Sequence, residues 1–197
     1  MAQKDEPMSE KHLILASASP RRRELLSLMG ISYTACPVDV DEHLTGKPDQ
    51  VVQTLAARKA EAAALRYPGC TVLGSDTLVS CKGETLGKPK DEADALRMLR
   101  LLSGNVNTVY TGVCVIDGLT GKKDVRLDRT EVHFVQFDDQ AALRYIRSGE
   151  PMDKAGAYGA QGMGGMFVSS ITGSPSNVIG LPMHLMRDML LSIGWEL

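Results

Sequence analysis

Apolar positions fall into short blocks whose spacing switches between the period of a strand and that of a helix. Leu13-Ile-Leu-Ala16 is a continuous apolar run and reads as a buried strand. It breaks at Ser17-Ala-Ser-Pro20 and resumes with Leu25, Leu26 and Met29 on one helical face. Ser19 suits the N-cap, Pro20 the first helical position and Gly30 the residue just past the end. Residues 31–36 alternate as a second strand and lead into the acidic run Asp39-Val-Asp-Glu42. Asp49 opens a helix with Val51, Val52, Leu55 and Ala56 inward, running through Arg58 and Lys59 to about Arg66, where Pro68-Gly69 stops it. Residues 70–80 are β-forming, and 84–89 supply a hairpin partner across Lys82-Gly83. Then come a helix from Asp91, long strands over 107–117 and 125–137, and a helix from Asp138 to Ser148-Gly149. Residues 153–165 hold too much glycine to stay regular. A strand over 166–171, a loop or short helical turn over 174–180 and a closing helix over 182–193 complete the chain. Strands and helices alternate but hairpins occur too, which predicts an α/β fold with a mixed sheet and helices on its faces.

Composition narrows the class. A chain of 197 residues with 43% hydrophobic positions can bury the core of one domain. Residues 1–10 are polar and read as disordered, leaving 11–197 as a single domain. That polar start is expected to be neither signal peptide nor anchor, and no apolar run approaches the ~20 residues that span a bilayer. A formal net charge of −2 argues against general nucleic-acid binding, so any polyanion must meet a local cluster of cations. Cys36, Cys70, Cys81 and Cys114 stand apart without C-x-x-C spacing and read as free thiols. The four histidines are equally scattered, which argues against zinc. With no disulfide framework, the expected compartment is the cytoplasm.

Polar islands inside apolar elements mark the candidate chemistry. Ser17 to Arg23 places helix N–H groups and three arginines where the helix dipole attracts an anion, although arginines there also fit a solvated face. In Val72-Leu-Gly-Ser-Asp-Thr-Leu-Val79 a carboxylate interrupts a strand that should be buried. Burying an unpaired charge is costly, so Asp76 needs a partner, a metal or a task. Leu86-Gly-Lys-Pro89 brings Lys88 near Asp76 if the hairpin forms. Of Arg58 and Lys59, only one is expected to face inward. Asp39, Asp41 and Glu42 are either a solvated loop or donors of one oxygen to a hard cation. Glycines across 151–162 let backbone approach a ligand, and an inward Gln161 could read a base edge, unless Tyr158 merely packs a structural loop there. The inventory is that of a site for a magnesium-bound nucleoside triphosphate, with neither a Walker A sequence nor G-x-G-x-x-G.

Seven of these segments, in the same order, resemble the Maf family of nucleoside triphosphate pyrophosphatases. They are Leu15-Ala-Ser-Ala-Ser-Pro-Arg-Arg-Arg-Glu-Leu-Leu26, Ala57-Arg-Lys-Ala60, Gly74-Ser-Asp-Thr77, Leu86-Gly-Lys-Pro89, Leu102-Ser-Gly104, the stretch 149–162 and Asn177-Val-Ile-Gly-Leu-Pro182. The resemblance implies a mixed, strongly twisted β-sheet flanked by helices, two lobes around a deep cleft, and a homodimer. It implies metal-dependent hydrolysis, with Mg or Mn, of dTTP, UTP or modified pyrimidine nucleotides to the monophosphate and pyrophosphate. The alternative is a nucleotide-binding regulator of cell division with weak hydrolysis. By the same resemblance Asp76 is the proton acceptor and Ser17, Arg21, Lys59, Lys88 and Gln161 contact substrate. Arg21, Thr77 and Gln161 match the specificity positions, and Glu42 with Asp76 the metal contacts, Asp41 being the competitor for Glu42. Arg22 and Arg23 are left to solvent or to a salt bridge. Two positions depart from the family pattern. Asn107 stands where many relatives carry histidine, and Ala160 where isoleucine is more usual.

Overall fold

The computed structural model describes residues 12–197, so the expectation of disorder over 1–10 lies outside the described residues. Seven strands form one mixed sheet in the order β2-β1-β3-β5-β6-β7, with β4 pairing β3 off that path. They are β1 (Leu13–Leu15), β2 (Tyr33–Ala35), β3 (Thr71–Cys81), β4 (Glu84–Leu86), β5 (Val106–Ile116), β6 (Lys123–Phe134) and β7 (Val168–Thr172). The helices are α1 (Pro20–Leu28), α2 (Pro48–Ala64), α3 (Glu92–Leu102), α4 (Asp139–Ile146), α5 (Pro175–Ile179) and α6 (Met183–Leu191). Strand β1 is parallel to β2 and β3, and the remaining pairs are antiparallel.

The element ends follow local chemistry. Asp91 and Asp138 cap α3 and α4 as expected, each accepting a backbone N–H three residues on. At α2 the cap is Lys47, and Asp49 sits inside the first turn, where its charge still meets the dipole favourably. Ser19 occupies the N-cap of α1 without capping through its side chain. Its own N–H donates to Ser17 Oγ at 3.2 Å instead. Lys82 and Gly83 both take positive φ, giving the tight hairpin between β3 and β4. The glycine-rich segment resolves into three short 3₁₀ turns, and the last of these displaces the start of β7 to Val168.

Three apolar clusters set the layers. One lies between the sheet and α1 and α6, around Leu15, Leu26, Leu73 and Met186. A second lies under α2, around Ile14, Ala56, Ala60 and Cys114. The third joins the far half of the sheet to α3 and α4, around Val79, Leu99, Val132 and Tyr145. The first two belong to one lobe and the third to the other.

Strand β3 runs through both lobes. Its first residues pair β1 over 71–73 and its last pair β4 over 79–81, on the side away from β5. Between them, residues 74–78 have no strand partner on that side, and there the sheet opens into a cleft. The polar island Gly74-Ser-Asp-Thr77 fills that gap.

Helix α2 lies unusually close to the sheet. A Cβ on Gly74 would run into the Ala56 carbonyl oxygen, and one on Gly112 into the carbonyl of Val52. Both glycines are therefore required by backbone proximity rather than by a turn. We expect Gly74→Ala and Gly112→Ala each to destabilise the fold by about 1–3 kcal/mol or more, because the intruding methyl meets backbone that cannot move aside. Gly87→Ala, where a Cβ meets nothing within 4 Å, should cost much less. Urea unfolding of the three variants checks this.

Candidate active site

The cleft has a volume of about 1220 Å³, roomier than an ordinary small-ligand pocket of ~300–1,000 Å³. Its floor is the middle of β3. The β1–α1 junction and the loop around Glu42 form one wall, and Lys88 with the segment 150–162 forms the other. All eight residues singled out from the sequence line it: Ser17, Arg21, Glu42, Lys59, Asp76, Thr77, Lys88 and Gln161.

Side chains alternate across β3, so Gly74 and Asp76 face α2 while Ser75 and Thr77 face the opposite layer. The close approach of α2 over Gly74 brings Lys59 down onto Asp76, Nζ to Oδ1 at 2.7 Å. The same ammonium reaches Glu42 Oε1 at 2.7 Å. Arg58, its neighbour, turns outward and donates to the Asp41 carbonyl oxygen. That settles which of the two cations faces in. It also separates the two acids, because Asp41 Oδ1 accepts from the His43 N–H while Glu42 lines the cleft.

Asp76 is only 8% exposed. Burial raises its pKa above the usual carboxylate value, against the opposing pull of Lys59 and Arg22, and the Glu42 charge adds to the rise. Glu42 is shifted the other way. Its partial burial would raise it, but the Lys59 hydrogen bond and the charges of Lys59, Lys88 and Arg22 outweigh that and hold it low. Two carboxylates of different proton affinity thus share one ammonium.

The second layer overturns the expectation for Arg22. It is buried, not solvated: Nε donates to the Gly180 carbonyl oxygen at 2.9 Å, Nη1 to Ser17 Oγ at 3.0 Å and Nη2 to Thr77 Oγ1 at 3.2 Å. Burial lowers its pKa against the pull of Asp76, yet an arginine remains charged at neutral pH. Thr77 Oγ1 also meets Thr111 Oγ1 across the strand pair at 3.0 Å, and Asn177 beneath donates to Val109 O and Thr130 Oγ1. Arg22 therefore ties α1, β3 and the loop after α5 together. Arg21 stays at the rim, where Nη1 donates to Asp153 Oδ2 at 2.9 Å across the cleft mouth. Lys88 is exposed on the far wall, and the Gly87 carbonyl beside it accepts from the Gly156 N–H at 3.0 Å. Asn107, the departure from the family pattern, is buried, with Nδ2 donating to Val132 O and Oδ1 accepting from Tyr158 OH. Its role is structural.

Among the described residues no group of three or more His, Cys, Asp or Glu converges as a metal cage. Of the cleft's four carboxylates, Asp76 and Glu42 sit together at Lys59, and Glu150 and Asp153 lie on the opposite wall. The first pair fits a magnesium-type ion, which takes one or two protein carboxylates and completes its shell with water and phosphate oxygens.

Residues 12–193 match the family model described as "Maf-like protein". The chain belongs to the Maf family. Among its relatives is a protein of Thermococcus gammatolerans called "dTTP/UTP pyrophosphatase", 48% identical over 93% of this chain and 97% of that one. Proteins with the same name from Symbiobacterium thermophilum and a Geobacillus strain are 45% and 44% identical over 95% and 94% of this chain, and 96% and 100% of their own. A HAM1 protein from Coxiella burnetii shares the fold at a TM-score of 0.51 with 14% identity, over 92% of this chain and 99% of that one. The mixed sheet with flanking helices is thus the expected fold. No helix among the described residues is long and apolar enough to cross a membrane.

Two features escaped the sequence reading. Arg22 finds its partners 5, 55 and 158 positions away, so no local pattern announces them. Glu150 folds the 159–164 loop around itself, which only the closed loop reveals. The two arginines should separate cleanly in thermal and urea unfolding. Arg22→Met should lose about 2–4 kcal/mol, since three buried acceptors lose a charged donor. Arg21→Ala should lose no more than about 1 kcal/mol, as for an exposed ion pair.

Proposed function

We propose that this Maf protein hydrolyses dTTP and UTP, and related pyrimidine nucleoside triphosphates, to the monophosphate and pyrophosphate. The observation that carries the reading is a buried carboxylate of raised proton affinity, Asp76, on the floor of a nucleotide-sized cleft whose walls hold Lys59, Lys88 and Arg21. The names of its relatives agree with it.

Attack at the α-phosphorus needs a deprotonated water and a neutralised pyrophosphate leaving group. Asp76 is the base, its raised proton affinity bringing it closer to the pH at which it must work. Lys59 orients the carboxylate and stands ready to meet phosphate oxygens, and Lys88 faces the cleft opposite it. Ser17 with the N–H groups at the start of α1, and Arg21 at the rim, form the rest of the phosphate wall. Arg22 works from beneath, as a buried charge that holds Ser17 and Thr77 in place. Asp76 and Glu42 would hold a divalent cation, Mg or Mn, which supplies Lewis-acid polarisation of the phosphate and of the attacking water. Gln161, exposed at the other end of the cleft, reads the base. Its amide offers one acceptor and one donor to the N3–H and O4 edge shared by uracil and thymine. The working form is a homodimer.

Incubation with a panel of nucleotides and magnesium, with separate detection of pyrophosphate and orthophosphate, tests the reading. UTP and dTTP should release pyrophosphate. Binding without turnover would favour a regulator, and orthophosphate alone would mark a different hydrolase. Asp76→Asn should keep the fold while turnover falls about a hundredfold or more, the scale of general-base catalysis. Because only the ionised base works, kcat/KM should fall as pH drops through the Asp76 pKa. In the metal-free protein that pKa lies above the ordinary carboxylate value of about 3.9, and a cation held by Asp76 would lower it and move the acid limb to lower pH. Stability runs the opposite way for this group: its folded pKa exceeds its unfolded one, so its contribution is fully present below the unfolded pKa and is lost as pH rises through the folded one.

A further inference from the structure

Gln161 sits at the tip of a glycine-rich loop, and an amide can discriminate a base only if its oxygen and nitrogen are fixed in place. A flipped amide would present the reverse pattern, which suits cytosine. The loop's anchor is Glu150, in the first 3₁₀ turn after α4. Its Oε1 accepts from Tyr145 OH at 2.9 Å and from the Gly164 N–H at 3.2 Å, and its Oε2 accepts from the Met163 N–H at 2.9 Å. Tyr145 OH in turn accepts from the Gly159 N–H at 3.0 Å. Three backbone amides that bracket Gln161 therefore converge on one carboxylate and one hydroxyl. Tyr145 is only 1% exposed and belongs to the α3–α4 core, so the anchor is fixed to the rigid part of its lobe.

Three glycines permit the wrap. A Cβ on Gly162 would overlap Glu150 Oε2, one on Gly164 would lie 2.6 Å from Tyr145 OH, and one on Gly159 would lie 2.8 Å from Lys154 Cε. Gly162 has φ −109°, so no left-handed conformation calls for glycine there, and space alone does. The Lys154 ammonium closes the arrangement by donating to the Glu150 carbonyl oxygen at 2.6 Å.

We propose that Glu150 is a positioning residue for base selection: with Tyr145 it clamps the 159–164 loop and thereby fixes where the Gln161 amide points. This rests on the reading of Gln161 as the base reader. A carboxylate is required because both oxygens must accept. In a glutamine the amide nitrogen would face either the Met163 N–H or the Gly164 N–H, donor against donor.

The test measures kcat and KM for UTP and CTP by pyrophosphate release, on the full chain and on Glu150→Gln, Tyr145→Phe, Gly162→Ala and Gln161→Ala. Each of the first three should lower the UTP-over-CTP ratio of kcat/KM by about tenfold, chiefly through KM. Thermal melting confirms which variants are folded, and Gly162→Ala crowds the anchor without removing any of its groups. A merely structural role would weaken both substrates equally and leave the ratio unchanged. An unchanged ratio in the folded anchor variants, with a collapsed ratio in Gln161→Ala, overturns the role of Glu150 alone. An unchanged ratio in Gln161→Ala overturns the reading of Gln161, and the role of Glu150 falls with it.

Discussion

The site depends on one buried ion pair, Lys59 with Asp76, whose side chains are 11% and 12% exposed. A carboxylate in mid-strand is expensive to bury, and removing the partner of such a pair typically costs about 3–5 kcal/mol. The protein offsets that cost from both faces of β3. Lys59 comes from α2 above, and the charge of Arg22 acts from the layer below. The first requires α2 to ride low over Gly74 and Gly112. The second requires α1 to start at the end of β1, where Ser17 and the Gly180 carbonyl can hold the guanidinium. The packing of two helices is thus tied to the charge state of one residue. Burial still outweighs both cations, so Asp76 keeps a raised proton affinity.

The sheet topology explains why this residue lies at a cleft rather than in a core. Strand β3 exchanges β1 for β4 along one side and leaves a gap of five residues, and the two lobes meet around it. From that gap the cleft runs from a buried charged floor to an exposed loop carrying Gln161. Asp76 thus lies where the lobes meet and Gln161 on the wall of one of them, both held by a frame that the continuous strand β3 spans. The Gly156 N–H, donating to the Gly87 carbonyl, holds the two parts of the far wall together, and Arg21 with Asp153 ties the walls across the cleft mouth.

Much of this was legible in the sequence, for identifiable reasons. An aspartate among Val72, Leu73, Leu78 and Val79 conflicts with its own surroundings, and such conflicts mark sites. Periodicity placed the helices, and the structure shifted their ends by a residue or two, as at Lys47 and Asp49. Arg22 was illegible because the three arginines are equivalent in sequence. Only the rotation of α1 against Thr77 and Gly180 distinguishes the second from its neighbours. The 159–164 loop was illegible as a shape because its order comes from Glu150 and Tyr145, outside the loop, rather than from local propensity.

The central claim is that water attacks the α-phosphorus. Hydrolysis of UTP in water enriched in heavy oxygen, followed by mass spectrometry of both products, tests it most directly. The account predicts one labelled oxygen in UMP and none in pyrophosphate. Label in pyrophosphate, or release of orthophosphate with UDP, would place the attack on a different phosphorus and contradict it.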